Sequence, residues 1–221
     1  MKNYQFAYGK GSVTLPLDKK NVLAELHGND TPPLEDIRTA LTESLEAPVD
    51  SAPLRQRIKP GDKAALVVSD MSRFWMRQDL VIPHIVDYLT GCCGMDEKNI
   101  TIVVANGTHP GGGEAELRRL VTDGVYERIK VENHDCMADD LVYLGTTPHG
   151  TPVKINRSAA EADMVICLGA CTHHVMAGFG GGRKSILPGI SGLETIRHNH
   201  AFSLDAAALR SNPEIGNGVL K

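Results

Sequence analysis

The sequence lacks a basic excess: 23 Lys and Arg stand against 27 Asp and Glu, a formal net charge of −4. Without surplus cations a surface cannot neutralise a run of phosphates or hold an anionic bilayer, so no general nucleic-acid or membrane-surface binder is expected. No apolar run approaches the roughly 20 residues needed to cross a bilayer. The opening stretch MKNYQFAYGKGS has no apolar core of the secretory kind. The five cysteines are an odd number scattered through apolar surroundings, with Cys92 and Cys93 adjacent and Cys167 and Cys171 near a strand end. They read as reduced thiols, and the expected location is cytoplasmic. Repeats and low-complexity tracts are also missing.

What the chain does have is histidine near glycine. Seven of nine histidines fall between His109 and His200: those two, His134, His149, His173, His174 and His198. Core histidines are usually isolated, so clustering beside loops points to a chemical site.

A length of 221 residues suits one large domain, or one domain with a small appendage. The chain is read as a single domain over 1–221, with a small β layer in 1–30 and an α/β core in 60–210. Tyr4–Tyr8, Ser12–Leu17 and Asn21–Leu26 read as short strands. Pro32, Pro33 and Asp36 open a helix over Leu34–Leu45, and Pro48–Pro60 is a linker. Strands and helices then alternate. Lys63–Ser69, Asn99–Ala105 and Asp163–Leu168 are continuous apolar strands, and Lys130–Asn133 is a shorter one. Leu80–Leu89, Glu114–Thr122 and Leu193–His200 carry helical patterns, while Leu141–Leu144 and Thr151–Ile155 flank a turn. Buried strands alternating with helices predict an α/β fold: a mostly parallel, doubly wound (Rossmann-like) sheet covered on both faces.

In such a sheet, chemistry gathers just past the carboxyl ends of the strands. Those ends read Ser69-Asp70-Met71-Ser72-Arg73, Asn106-Gly107-Thr108-His109-Pro110 and Gly169-Ala170-Cys171-Thr172-His173-His174. Arg73 offers a fork for a carboxylate or phosphate, or else makes a local surface pair with Asp70. His109 has the position of a general acid or base, or is a loop histidine capped by Thr108. Gly178, Gly180, Gly181 and Gly182 can present backbone N–H groups to an anion, with Arg183 and Lys184 adding charge. The block is not a P-loop: Arg183 separates the glycines from Lys184, and the segment begins about ten residues past its strand. His198 and His200 are two apart on a helix, so they point different ways and cannot readily share a metal. Asn133-His134-Asp135 fits a metal or base site, or equally a turn whose side chains bond the backbone.

Together these residues carry a resemblance. Asp70-x-x-Arg73, Gly107-Thr108-His109, Asn133-His134-Asp135, Gly150-Thr-Pro-Val153, His174-x-x-Ala-Gly178-Phe-Gly-Gly181, Lys184, Leu187-Pro-Gly189 and Asn199-His200 come in the order and spacing of the lactate racemase family. The likeness runs from about residue 10 to 215, and its glycine-rich block is the specific part. The resemblance implies a racemase or epimerase of a small 2-hydroxy acid, working by hydride abstraction and return at Cα. It implies a nickel-pincer nucleotide covalently attached at Lys184, with His200 as a nickel ligand. His109 and His174 would then be alternate acid and base, and Arg73 the substrate-carboxylate clamp. Asp70, Gly180, Gly181, Gly182 and Arg183 would lie along the cofactor. Cofactor-maturation proteins would be partners, and a C-terminal domain, absent from this chain, would close over the site. Phe74-Trp75-Met76 depart from the family, which often has a proline soon after the arginine. Two readings compete with this one: a P-loop-like nucleotide or phosphate binder without redox chemistry, and a non-catalytic relative. Scattered positions for His109, His174 and Lys184 would favour the latter.

Overall fold

The computed structural model describes residues 1–28, 31–174 and 177–204. The chain divides into two compact units, Met1–Glu35 and Asp36 onward. In the first unit, β1 (Lys2–Tyr8) and β2 (Gly11–Leu17) form an antiparallel hairpin, with Tyr8 opposite Gly11. The strand expected over Asn21–Leu26 does not form: a single 3-10 turn spans Lys19–Asn21, and among the described residues of this unit no regular structure follows. Apolar residues alone do not make a strand without an edge to pair with. Instead Glu25 accepts from Lys2 Nζ and Tyr4 Oη, tying the segment to β1.

The second unit opens on α1 (Ile37–Glu46), later than the expected Leu34 start. Asp36 is its N-cap, its Oδ1 accepting from the amides of Arg38 and Thr39, so the acid caps the helix and does not sit in its first turn. A short helix, α2 (Leu54–Arg57), interrupts the expected linker. Then come β3 (Ala64–Ser69), α3 (Ile82–Gly91), β4 (Ile100–Ala105), α4 (Glu114–Val121), α5 (Asp123–Tyr126) and β5 (Lys130–Asn133). An antiparallel hairpin, β6 (Val142–Thr146) with β7 (Pro152–Ile155), precedes α6 (Arg157–Ala160) and β8 (Met164–Cys167). The last elements are a two-residue hairpin, β9 (His173–His174) with β10 (Gly178–Phe179), then α7 (Arg183–Ile186) and α8 (Leu193–Ala201).

β5, β4, β3 and β8 make one parallel sheet in that order. Its side chains alternate between two cores. Ala64, Leu66, Val68, Ile100, Ile102 and Val104 face α3, α4 and α5. Ala65, Val67 and Val103 face Ala159 of α6, Ile186 of α7 and Ile190. Both faces are covered, which is why β3 reads as an unbroken apolar run. Burying each such Val or Leu contributes about 1.5–3 kcal/mol, so the two central strands are the rigid base of the site.

Candidate functional site

Three separate chain segments leave the carboxyl ends of β3, β4 and β8, and each is fastened near the side chain it delivers. After β3, buried Gln78 pairs with the last strand residue as a surrogate neighbour: its Nε2 donates to Ser69 O at 2.5 Å, and its Oε1 accepts from Ser69 N at 3.1 Å. The intervening residues form a 3-10 turn, Met71–Met76, which carries Arg73. After β4, Gly107 adopts φ +57° and donates its N–H to Gly189 O at 2.9 Å. His109 N donates to Asn106 O at 2.9 Å, so Asn106–His109 is a closed turn. After β8, Gly169 lies against Gly181. A Cβ on Gly169 would come within 2.9 Å of the Gly181 Cα, and Gly181 itself has φ +69°. Only glycine allows this backbone-to-backbone approach.

These segments enclose one cavity of about 490 Å³ lined by Arg73, His109, His174, Lys184 and His200, five basic or imidazole groups from separated parts of the chain. The scattered arrangement that a non-catalytic relative would favour is therefore not observed. Among the other lining residues are Gly180 and Gly181; Gly182 and Arg183 do not line the cavity. Gly180 has already given its N–H to Thr172 O at 2.7 Å, so it is not available to an anion.

Asp70 lies behind His109. It is 6 % exposed and lines an adjoining cavity of about 400 Å³, which shares Asn106 and His109 with the first. Its Oδ2 is 2.5 Å from His109 Nδ1, and its Oδ1 accepts from Ser72 Oγ at 2.6 Å. Arg73 is 3.6 Å from Oδ1 and donates to Ser72 Oγ at 3.1 Å. The dominant partner of Asp70 is thus a histidine, not the arginine three residues on. A carboxylate at Nδ1 keeps the proton there and leaves the Nε2 lone pair of the neutral ring for chemistry.

His174 has the opposite polarity. Its Nδ1 accepts from the Ala177 amide at 3.1 Å, so the neutral ring carries its proton on Nε2. Burial first, then the nearby charges of Lys184 and Arg73, hold its pKa below the usual histidine range. Burial, followed by Arg73, likewise lowers the Lys184 amine, against the pull of Asp70. An amine with a depressed pKa is more readily deprotonated and nucleophilic. Two buried acceptors, Asn106 Oδ1 and His200 Nδ1, have no hydrogen-bond partner among the described residues. Such atoms cost about 1–3 kcal/mol if left unmet.

Two other histidines, His134 and His198, have structural roles. His198 Nδ1 is 3.1 Å from Thr151 Oγ1, and its ring stands edge-on to Phe202 at 5.7 Å, so His198 and His200 do point different ways. His134 is buried with Nε2 donating to Ser191 O at 2.9 Å; Asn133 Oδ1 accepts from Gly112 N, and Asp135 Oδ1 accepts from Met137 N. The Asn-His-Asp run is therefore a clamp on backbone. Gln78 and Ser72 were not anticipated as parts of the site's support, since a lone polar residue carries no sequence signal for what it will meet. Asn106 carried one weak signal, a position just before Gly-Thr-His.

The chain matches the model of the lactate racemase N-terminal domain over residues 8–211. It is 27 % identical to the lactate racemase of Thermoanaerobacterium thermosaccharolyticum, over all of this chain and 51 % of that protein. It is 28 % identical to the lactate racemase of Lactiplantibacillus plantarum, over 88 % of this chain and 46 % of that protein. The chain thus spans about half the length of these relatives. In fold it is similar to the lactate racemase apoprotein of T. thermosaccharolyticum, with a TM-score of 0.78 at 24 % identity over 99 % of this chain and 52 % of that one. It is also similar to a protein from Thermotoga maritima, with a TM-score of 0.63 at 22 % identity over 83 % of this chain and 45 % of that one.

Proposed function

The chain belongs to the lactate racemase N-terminal domain family, and from that premise we propose that it forms the catalytic half of a nickel-pincer-dependent racemase or epimerase of a 2-hydroxy acid. The observation that carries the proposal is the single cavity holding Arg73, His109, His174, Lys184 and His200. It combines an arginine fork, two imidazoles of opposite polarity, a half-buried amine and a third imidazole.

The residues fit the cofactor. Among the described residues there is no group of three or more His, Cys, Asp or Glu able to hold a metal ion. A metal that arrives with its own carbon and sulfur donors needs little more than one imidazole, and His200, which lines the cavity, would supply it. Lys184, with its lowered pKa, would hold the group through a thioamide, formed by condensation of its amine with a thiocarboxylic acid that keeps the sulfur and loses the oxygen as water. Bound there, the group would supply a hydride acceptor for the Cα hydrogen.

The chain's own residues would do the rest. Arg73 holds the substrate carboxylate with a planar fork. His109, its Nδ1–H directed at Asp70, accepts the hydroxyl proton at Nε2. His174, lining the same cavity, would return a proton to the oxygen of the planar keto acid from its imidazolium form, in which Nδ1 also carries a proton and no longer accepts from the Ala177 amide. In the opposite direction the two exchange duties, and His174 must then release the Ala177 amide to free a lone pair at Nε2. We propose a second domain, the counterpart of the rest of the relatives' length, as the lid that excludes water, and cofactor-maturation proteins as partners in loading.

The test is to produce the protein together with the cofactor-maturation enzymes and record its intact mass, nickel content and interconversion of the enantiomers of lactate. A covalent mass increment at Lys184 with bound nickel and racemisation is expected. Unmodified mass with tight ATP binding would favour the phosphate-binding alternative instead.

A further inference from the structure

The cavity walls divide sharply by chemistry. Apart from the five basic and imidazole groups, every lining residue among those described is Gly, Ala, Ser, Thr, Pro or Asn, except two: Trp75 and Met76. Trp75 is 63 % exposed although it borders a cavity. An indole open to water at the cavity rim, two residues from the Arg73 guanidinium, offers a bound ligand an aromatic face.

The backbone holds it there. One residue before it, Phe74 packs against the core, with the Arg119 guanidinium 4.5 Å over its ring. Two residues after it, Arg77 is in the left-handed region at φ +52° and is locked by two hydrogen bonds of 3.0 Å to Asp79. Gln78 then pins the chain to Ser69. With both flanks anchored, the indole cannot turn into the core, and it remains at the cavity rim two residues from Arg73.

We infer that Trp75 selects a 2-hydroxy acid bearing an aromatic side chain, which stacks on the indole while Arg73 holds the carboxylate. This inference rests on the 2-hydroxy-acid reading of the cavity given above. A methyl substituent, as in lactate, leaves most of the indole wet; a phenyl ring covers it. Covering it adds aromatic contact and removes apolar area from water on both partners, together at least about tenfold in affinity.

Trp75 is the chain's one tryptophan, so intrinsic fluorescence reports on this side chain without any cofactor. Titration with phenyl-lactate and with lactate is expected to perturb the emission saturably, with half-saturation at least about tenfold lower for phenyl-lactate. Calorimetric titration of Trp75→Ala is expected to bring the two acids to within about twofold, Trp75→Phe to keep most of the preference, and Arg73→Ala to abolish binding of both. Equal half-saturation for the two acids, or a preference that survives in Trp75→Ala, overturns the aromatic selection and leaves the 2-hydroxy-acid reading intact. Failure of either acid to bind overturns both.

Discussion

Asp70 Oδ2 lies 2.5 Å from His109 Nδ1, joining the end of β3 to the loop after β4 across 39 positions of sequence. The contact sets which nitrogen of His109 faces the cavity with a lone pair. Asp70→Asn offers an amide in its place, whose N–H turns the Nδ1 atom into an acceptor and moves the ring proton to Nε2. The ring then has no lone pair for the substrate hydroxyl. Turnover of the cofactor-loaded protein is expected to fall about 10²–10⁴-fold, with nickel and covalent mass retained. Turnover within a few-fold of the parent would show that Asp70 does not direct the ring.

His109→Ala and His174→Ala are each expected to suppress racemisation in both directions by about 10²–10⁴-fold while nickel stays bound, because a round trip between enantiomers uses both imidazoles. Lys184→Ala is expected to lose the covalent mass, and His200→Ala to lose nickel on dialysis. Intact mass, metal content and turnover on the same four preparations separate these roles. Racemisation at the parental rate by the His174 variant would remove the two-base assignment, and a covalent mass surviving in the Lys184 variant would remove the anchor.

Gly169→Ala places a methyl 2.9 Å from the Gly181 Cα, where backbone and not a pliable side chain must yield. A destabilisation of about 1–3 kcal/mol is expected by urea titration. The displaced glycine block also carries Lys184, so cofactor loading should drop with it. Gly113→Ala, which would meet nothing within 4 Å, is the control. Equal midpoints for the two variants would show that the Gly169–Gly181 approach is not tight in solution.

His134 gives the stability a pH dependence of defined sign. Burial is the main cause holding its folded pKa below the ordinary 6.5. As pH falls through about 6.5 the unfolded chain gains a proton that the folded one refuses, so stability declines and continues to decline down to the folded pKa. The parent's melting temperature should exceed that of His134→Gln at pH 7, and the gap should narrow by pH 5. Parallel curves for the two proteins would show that this group binds protons equally in both states.

Much of this protein is written locally in the chain. The apolar runs in β3 and β4 required strands buried on both faces, and the placement of charged residues just after them predicted which edge of the sheet would hold the cavity. The Gly-Thr-His and glycine-rich blocks pointed to His109, His174 and Lys184, and the i, i+2 spacing separated His198 from His200, because helical geometry acts over a few residues. Partner choice was beyond such reach. Asp70 stood beside Arg73 in sequence, yet the fold gave it to His109; the Asn-His-Asp run fitted a metal or base site or equally a turn bonding the backbone, and only the fold chose the backbone clamp; Gln78 had no signal at all and closes the end of β3. Asn21–Leu26 had strand-like residues but no edge to complete a ladder. Each of these outcomes depends on contacts between segments tens of residues apart. Their energies exist only once the sheet has brought those segments within a few ångströms, so the sequence by itself settled which groups were available, and the tertiary structure decided which of them meet.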